Sequence, residues 1–193
     1  MKSLALNILD IIQNSIRANA DEISLEIMEM VAEDLYLISV KDNGIGIPAD
    51  MLENVTDPFI TSRKTRKIGL GLPLLKYHAE LTGGSLTIES EPGDGTEVRA
   101  KLSYSHVDRQ PMGDIAGVIK ILIAANPAIN FNYRHTTKIG EYFLSTKEIK
   151  EYLEVETLYD NTLLSDIGKM INENLREIEA SGFDFKEKIL NTI

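Results

Sequence analysis

The 193-residue sequence contains no cysteine, no tryptophan and only three histidines. Without cysteine there is no disulfide framework and no thiolate metal site, and scattered histidines offer little for a zinc centre. No apolar run approaches the roughly 20 residues that cross a bilayer, and the first residues lack the pattern of a signal peptide. These absences predict a cytoplasmic protein without a membrane partner.

Basic residues are also scarce, since 20 lysines and arginines stand against 30 aspartates and glutamates, for a net charge of −10. The acidic excess is spread over both halves of the chain. Phosphate backbones need a basic face, so we expect no nucleic-acid partner. One basic cluster, residues 63–67 (RKTRK), stands apart. Such a cluster is either a solvated loop or a local site for a polyanion.

Apolar residues make up 43% of the chain, which predicts a real core. Periodicity, glycines and prolines predict the following elements. In the first half they are helices over 4–18, 49–54 and 74–81 and strands over 23–30, 35–40, 85–91 and 96–102. In the second half, after a linker over 105–112, they are helices over 113–125, 145–154 and 162–180 and strands over 129–135 and 140–144. We therefore expect a domain over residues 1–104 and a small α-β-β-α-α appendage over residues 105–193.

The first predicted helix carries a stripe of polar side chains. Asn7, Asp10, Asn14 and Arg17 are spaced 3, 4 and 3 residues apart, which places them on one side of a helix. The stripe is either the solvent face of an amphipathic helix or a surface for a magnesium–phosphate group. Carboxylate and amide oxygens suit the ion, and a guanidinium suits a phosphate oxygen.

Two glycine-rich stretches have a composition typical of ligand loops. Asp42, Gly44 and Gly46 follow a predicted strand. Asp42 could accept a hydrogen bond from the amine of a nucleotide base, while the glycines let the backbone lie close to the ring of that base. An ordinary turn or a calcium loop would also fit this pattern. Residues 68–73 (IGLGLP) follow the basic cluster at the amino end of a helix, where free N–H groups favour an anion. A dinucleotide-binding motif is excluded because no strand precedes and no third glycine is in register.

Taken in order, these segments resemble the nucleotide-binding domain shared by gyrase, Hsp90-type chaperones, histidine kinases and the MutL repair proteins (the GHKL superfamily). The helix with Asp10 and Asn14 resembles its N box, residues 42–46 its G1 box, residues 57–72 its lid and G2 box, and residues 93–96 its G3 box. The resemblance implies an α/β fold of Bergerat type. This is a two-layer α+β sandwich with a mixed, mainly antiparallel sheet and helices on one face, followed here by a small, mostly helical C-terminal appendage.

The resemblance also implies ATP and Mg²⁺ as ligands. Asp42 would bind the adenine amine with help from Thr96, Gly44 and Gly46 would shape the base pocket, and Asn14 would hold Mg²⁺. The positions that it implies for the phosphates are Arg17, Lys64, Lys67, Gly69, Leu70, Gly71 and Leu72.

Two departures from the family pattern bear on activity. Asp10 stands where gyrase and MutL relatives place a glutamate general base, and its shorter side chain predicts slow or absent hydrolysis. The chain begins almost at the N box, and His78, His106 and His135 do not sit in a helical hairpin. We therefore expect a stand-alone domain without a phosphoacceptor histidine.

These features predict a regulatory Mg-ATP-binding protein that hydrolyses ATP slowly or passes its γ-phosphoryl group to a partner, as anti-sigma-factor kinases do. The alternative is a nucleotide-sensing module that regulates a partner complex without turnover. Residues 113–131 resemble the tails of small ATPases encoded beside iron hydrogenase subunits in anaerobic bacteria, which points to a protein partner in a metabolic or hydrogenase complex. A homodimer stays open.

Overall fold

The computed structural model describes residues 3–52, 55–56 and 71–182. The predicted lid and the basic cluster fall outside the described residues, and so do four predicted site residues: Lys64, Lys67, Gly69 and Leu70.

The helices and strands follow the order that the sequence predicts. They are α1 (Leu4–Arg17), β1 (Glu22–Met30), a 3₁₀ turn (Val31–Glu33), β2 (Leu35–Asp42), α2 (Ala49–Leu52), α3 (Gly71–Leu81), β3 (Ser85–Glu91), β4 (Gly95–Ser103), α4 (Ile115–Ala125), β5 (Asn130–Thr136), β6 (Glu141–Ser145), α5 (Thr146–Leu153) and α6 (Asn161–Glu177). Within the part of the chain described, no helix has the length and apolarity needed to cross a bilayer.

The six strands form one sheet in the order β3-β4-β2-β1-β5-β6. Every neighbouring pair is antiparallel except β1 and β5, which run parallel. The prediction of a mixed, mainly antiparallel sheet is therefore confirmed. Its register places Asp42, at the end of β2, opposite Thr96 on β4, and Thr96 opposite Ser90 on β3.

The two faces of the sheet differ in chemistry because side chains alternate along each strand. One face carries buried apolar residues such as Tyr36, Ile38 and Val40, which share a core with α1, α3 and α4. The opposite face is polar: Arg99 pairs with Glu89 and Glu97, and a second arginine pairs with glutamates on β1 and β6. Helices on one face of a sheet give the predicted two-layer sandwich.

Residues 104–113, most of which were predicted as a linker, pack against the first half of the chain. The backbone N–H groups of Leu4 and Ala5, which have no partner inside α1, donate to the carbonyls of Pro111 and Met112 at 3.0 and 2.8 Å. The Arg109 guanidinium lies 4.7 Å from the centre of the Tyr36 ring. The two hydrogen bonds fix the start of α1, and the arginine packs the segment against β2.

The second half of the chain continues the same sheet. Strand β5 pairs with β1 from Glu22↔Asn130 to Met28↔Thr136, and its buried aromatic residues belong to the same core cluster as the buried residues of the first half. The α-β-β-α-α order is present, but β5 and β6 extend the first sheet instead of forming one of their own. Whether residues 1–104 and 105–193 are separate folding units stays a prediction.

Candidate functional site

Asp42 is held at the end of β2 by two donors. It is 6% exposed, and its Oδ2 accepts from the Ser15 hydroxyl at 2.5 Å while its Oδ1 accepts from the backbone N–H of Gly44 at 2.9 Å. These bonds offset the cost of removing a carboxylate from water. Each oxygen has two lone pairs, so Asp42 keeps acceptor capacity for a ligand.

Ser15 is a functional candidate that the sequence analysis missed. It follows Asn14 on α1, but it is buried and faces the sheet, whereas Asn14 is exposed. The sequence does contain a sign of this role: Ser15 lies on the apolar side of the predicted helix, and a buried hydroxyl needs a hydrogen-bond partner. Ser15 thus ties the helix that carries Asn14 to the strand end that carries Asp42.

The loop after β2 packs against backbone on two sides, and its glycines make this possible. A Cβ on Gly44 would lie 2.7 Å from the carbonyl oxygen of Ala18 at the end of α1, and one on Gly46 would collide with the carbonyl of Glu91. Gly46 also has φ +69°, a conformation that other residues adopt at a cost. The loop therefore lies between α1 and the β3–β4 turn.

Asn43 fastens the same loop to the start of β1. Its Oδ1 accepts from the backbone N–H groups of Asp21 and Glu22 at 3.1 and 3.0 Å, and its Nδ2 donates to the Asp21 carboxylate at 2.7 Å. These bonds hold the peptide beside Asp42 in place before any ligand arrives, which lowers the ordering cost of binding.

Ser90, Thr96 and Asp42 form a polar row across β3, β4 and β2 at one end of the sheet. The Ser90 Oγ lies 2.8 Å from three groups: the backbone N–H of Ile47, which donates to it, the carbonyl oxygen of Gly95, and the Thr96 hydroxyl. The polar row therefore connects directly to the loop after β2. Ser90 is a second residue that the sequence analysis missed.

The stripe on α1 divides into two environments. Asn7 is fully buried and donates to Gln110 at 2.8 Å, so it does not share a surface with the rest. Arg17 donates to the Oδ1 of Asn14 at 2.8 Å. A Cβ on Gly71 would lie 2.7 Å from the Cβ of Asp10, which places Asp10 against the start of α3.

The structure thus arranges the predicted site residues that it describes in two adjoining groups. Asp42, Gly44, Gly46 and Thr96 lie at one end of the sheet, and Asp10, Asn14, Arg17 and Gly71 lie along α1 and the start of α3. Ser15 joins the groups. Leu72 is 8% exposed and packs into the core, so only its backbone is available to a ligand.

The residues present fit Mg²⁺ bound together with phosphates rather than a metal held by protein alone. Among the described residues, no group of three or more His, Cys, Asp or Glu side chains could hold a metal. Mg²⁺ keeps several waters and commonly takes one or two protein ligands plus substrate phosphates. Asn14 is exposed and lies one turn from Asp10, which suits that arrangement.

Comparison with known proteins defines the class. Residues 2–106 match the family described as "Histidine kinase-, DNA gyrase B-, and HSP90-like ATPase". This is more than half of the chain, and the chain belongs to this family. Its first half is therefore an ATP-binding domain of the histidine-kinase-like type, and the resemblance drawn from the sequence is confirmed.

Named relatives support the same class. The chain is 33% identical over 103 residues to the sensor histidine kinase YxdK of Bacillus subtilis and 38% identical over 98 residues to sporulation kinase D of the same organism. Each alignment covers 51% of this chain, but only 32% and 19% of the relatives. The chain thus spans a third or less of the length of these proteins.

A solved structure confirms the fold alone. The N-terminal domain of a DNA repair protein superposes with a TM-score of 0.52 at 18% identity, covering 75% of this chain and 53% of the other.

Proposed function

We propose that this chain binds ATP with Mg²⁺ between α1 and the loop after β2, and acts as a regulatory ATPase or protein-kinase-type phosphotransferase. The observation that carries the proposal is the buried Asp42 carboxylate, held by Ser15 and Gly44 beside Thr96 at the end of the sheet. A buried carboxylate that keeps lone pairs free after accepting from Ser15 and Gly44 suits the amino group of an adenine.

The proposed roles follow the two groups of residues. Asp42 and Thr96 receive the base, and Gly44 and Gly46 let the backbone lie close to it. Asn14 supplies its amide oxygen to the ion, which neutralises phosphate charge when bound. Arg17, which donates to that oxygen in this structure, turns from it to a phosphate oxygen. The backbone at Gly69, Leu70, Gly71 and Leu72 and the lysines at positions 64 and 67 complete the phosphate site.

In the catalytic branch of the proposal, Asp10 takes the proton of the attacking group. For hydrolysis the group is water, and the products are ADP and phosphate; for transfer it is a side chain of a partner protein, and the products are ADP and a phosphorylated partner. The aspartate is shorter than the glutamate of gyrase and MutL relatives, which favours slow turnover. The same observation favours the second candidate function, a nucleotide-sensing module without turnover.

One experiment separates these branches. The protein is incubated with γ-labelled ATP and Mg²⁺, and bound ATP, free phosphate and protein-bound label are measured. Asp10→Asn should lower phosphate release by roughly 100-fold or more while leaving ATP affinity nearly unchanged. Asp166→Asn, an exposed aspartate on α6 paired with Lys169, is the control and should match the parent.

Each result has a distinct meaning. Equal phosphate release by parent and Asp10→Asn removes Asp10 from the reaction. Label on a co-purified protein supports transfer, and tightly bound but intact ATP supports the sensing module. Failure of the parent to bind ATP contradicts the proposal as a whole. A protein partner, a hydrogenase complex and a homodimer stay predictions.

A further inference from the structure

We infer that Ser90 fixes the direction of the Thr96 hydroxyl, so that Thr96 offers an acceptor beside Asp42 and the site prefers a base with an amino group to one with an oxo group. Ser90 is then a positioning residue for base specificity that acts through Thr96. The inference rests on the proposed function and adds a determinant to it.

The direction follows from counting hydrogens around Ser90. A serine hydroxyl has one hydrogen and two lone pairs. The Ile47 N–H donates to Ser90 Oγ at 2.8 Å, and Gly95 offers only a carbonyl oxygen, also at 2.8 Å. The single hydrogen of Ser90 therefore points to Gly95, since otherwise two acceptors would face each other at that distance.

The Thr96 hydroxyl must then supply the remaining hydrogen. Its Oγ1 lies 2.8 Å from Ser90 Oγ, and Ser90 has no second hydrogen to give. Thr96 consequently donates to Ser90, which fills the last lone pair of that oxygen. Among the residues that the structure describes, nothing else donates to Thr96 Oγ1, so both of its lone pairs stay available on its other side.

Thr96 stands directly opposite Asp42 in the strand register. Directly opposed residues of antiparallel strands project from the same face of the sheet. The polar row therefore presents two neighbouring acceptors, a carboxylate and a hydroxyl oxygen, to whatever lies at this end of the sheet. The 6-amino group of adenine has two N–H donors and matches them by direct contact, whereas the 6-oxo group of hypoxanthine is an acceptor and is disfavoured.

Removing the Ser90 hydroxyl should loosen this preference. In Ser90→Ala, the hydrogen of Thr96 loses its partner and can rotate toward the ligand, where it can donate to a 6-oxo group. ITP carries the hypoxanthine base, and the dissociation constant of ITP divided by that of ATP should fall roughly tenfold. This is the change expected from one neutral hydrogen bond. Ser90→Thr keeps the hydroxyl and should retain the parent ratio.

The test is calorimetric titration of the full chain with ATP and with ITP, both with Mg²⁺. Four variants accompany the parent: Ser90→Ala, Ser90→Thr, Thr96→Val and the control Ser85→Ala, an exposed serine at the start of the same strand. Far-UV circular dichroism and thermal melts check that each is folded. Thr96→Val also removes the acceptor and should lower the ratio, which keeps the inference testable if Ser90→Ala does not fold.

The outcomes separate this inference from the proposed function. A reduced ratio in Ser90→Ala and Thr96→Val, with parent-like ratios in Ser90→Thr and Ser85→Ala, is the expected result. Equal weakening of ATP and ITP by Ser90→Ala, or an unchanged ratio in Thr96→Val, overturns the inference while ATP binding stands. A parent that binds both nucleotides equally overturns it as well, and a parent that binds neither contradicts the proposed function.

Discussion

The contact between Ser15 and Asp42 gives the most quantitative prediction for the fold. The Ser15 hydroxyl donates to the Asp42 carboxylate at 2.5 Å, and both side chains are almost fully buried. A hydrogen bond to a charged group contributes roughly 1.5–3 kcal/mol. Ser15→Ala should therefore lower the free energy of unfolding by about that amount, less a few tenths for the better helix propensity of alanine.

A double-mutant cycle measures whether the cost passes through Asp42. Urea unfolding is followed for the parent, Ser15→Ala, Asp42→Ala and the double variant. In the Asp42→Ala background the serine has lost its acceptor, so its removal should cost much less. Ser165→Ala, an exposed serine on α6, supplies the propensity correction. An equal cost of Ser15→Ala in both backgrounds would refute the reasoning.

Two further predictions concern the backbone and the far end of the sheet. Gly46→Ala should destabilise the protein more than Gly83→Ala. Both glycines have positive φ, a conformation that costs alanine about 1–2 kcal/mol, but only at Gly46 would the added Cβ also collide with backbone. Equal losses of stability in thermal melts would contradict this. Burial raises the pKa of Glu29, but the hydrogen bonds from His135 and the Ser181 N–H outweigh it and lower that pKa below its ordinary 4.5. A carboxylate whose pKa is lower in the folded protein than in the unfolded chain stabilises the fold at pH values above its unfolded-state pKa. This stabilisation is lost as the pH falls through the folded-state pKa. The free energy of unfolding should therefore fall on acidification below about pH 5. Glu29→Gln should weaken this pH dependence, whereas the exposed control Glu151→Gln should leave it unchanged. Identical pH profiles for the parent and Glu29→Gln would show that Glu29 is not its source.

The sequence predicted most of the fold because its apolar residues follow clear periods. The apolar residues of α1 cover more than one face and predict a mostly buried helix, the alternation in β1 predicts a strand with one buried face, and the apolar run at 35–40 predicts a second strand. The predicted and observed ends differ by three residues at most, apart from α2, whose predicted last two positions lie outside the described residues.

The parallel pairing of β1 with β5 could not be predicted in the same way. The paired residues, such as Ile23 and Phe131, are far apart in sequence, and periodicity says which face of a strand is buried but not which strand lies beside it. For the same reason residues 105–112 looked like a linker, although their carbonyls and Arg109 contact the first half.

The candidate site shows the same division. Asp42, Gly44 and Gly46 were identified by their place in the order of four segments that resemble the family, since an acid followed by two glycines also occurs in ordinary turns and calcium loops. Ser90 was missed because a single serine in a strand carries no pattern of its own. Ser15 was missed although its hydroxyl on the apolar side of a helix indicates a buried partner. Asn7 belonged to the stripe by spacing, but its partner Gln110 lies in the second half of the chain. Long-range hydrogen bonds of this kind are visible only in the folded structure.

Hydrogen–deuterium exchange with and without Mg·ATP tests the central claim most directly, because it reports where the nucleotide binds. The account predicts protection of the loop at residues 42–47, of residues 90–96 and of the part of α1 around Asn14, with little change in β6 and α5. Protection confined to residues 130–160, or no change at saturating nucleotide, would contradict a site between α1 and the end of β2.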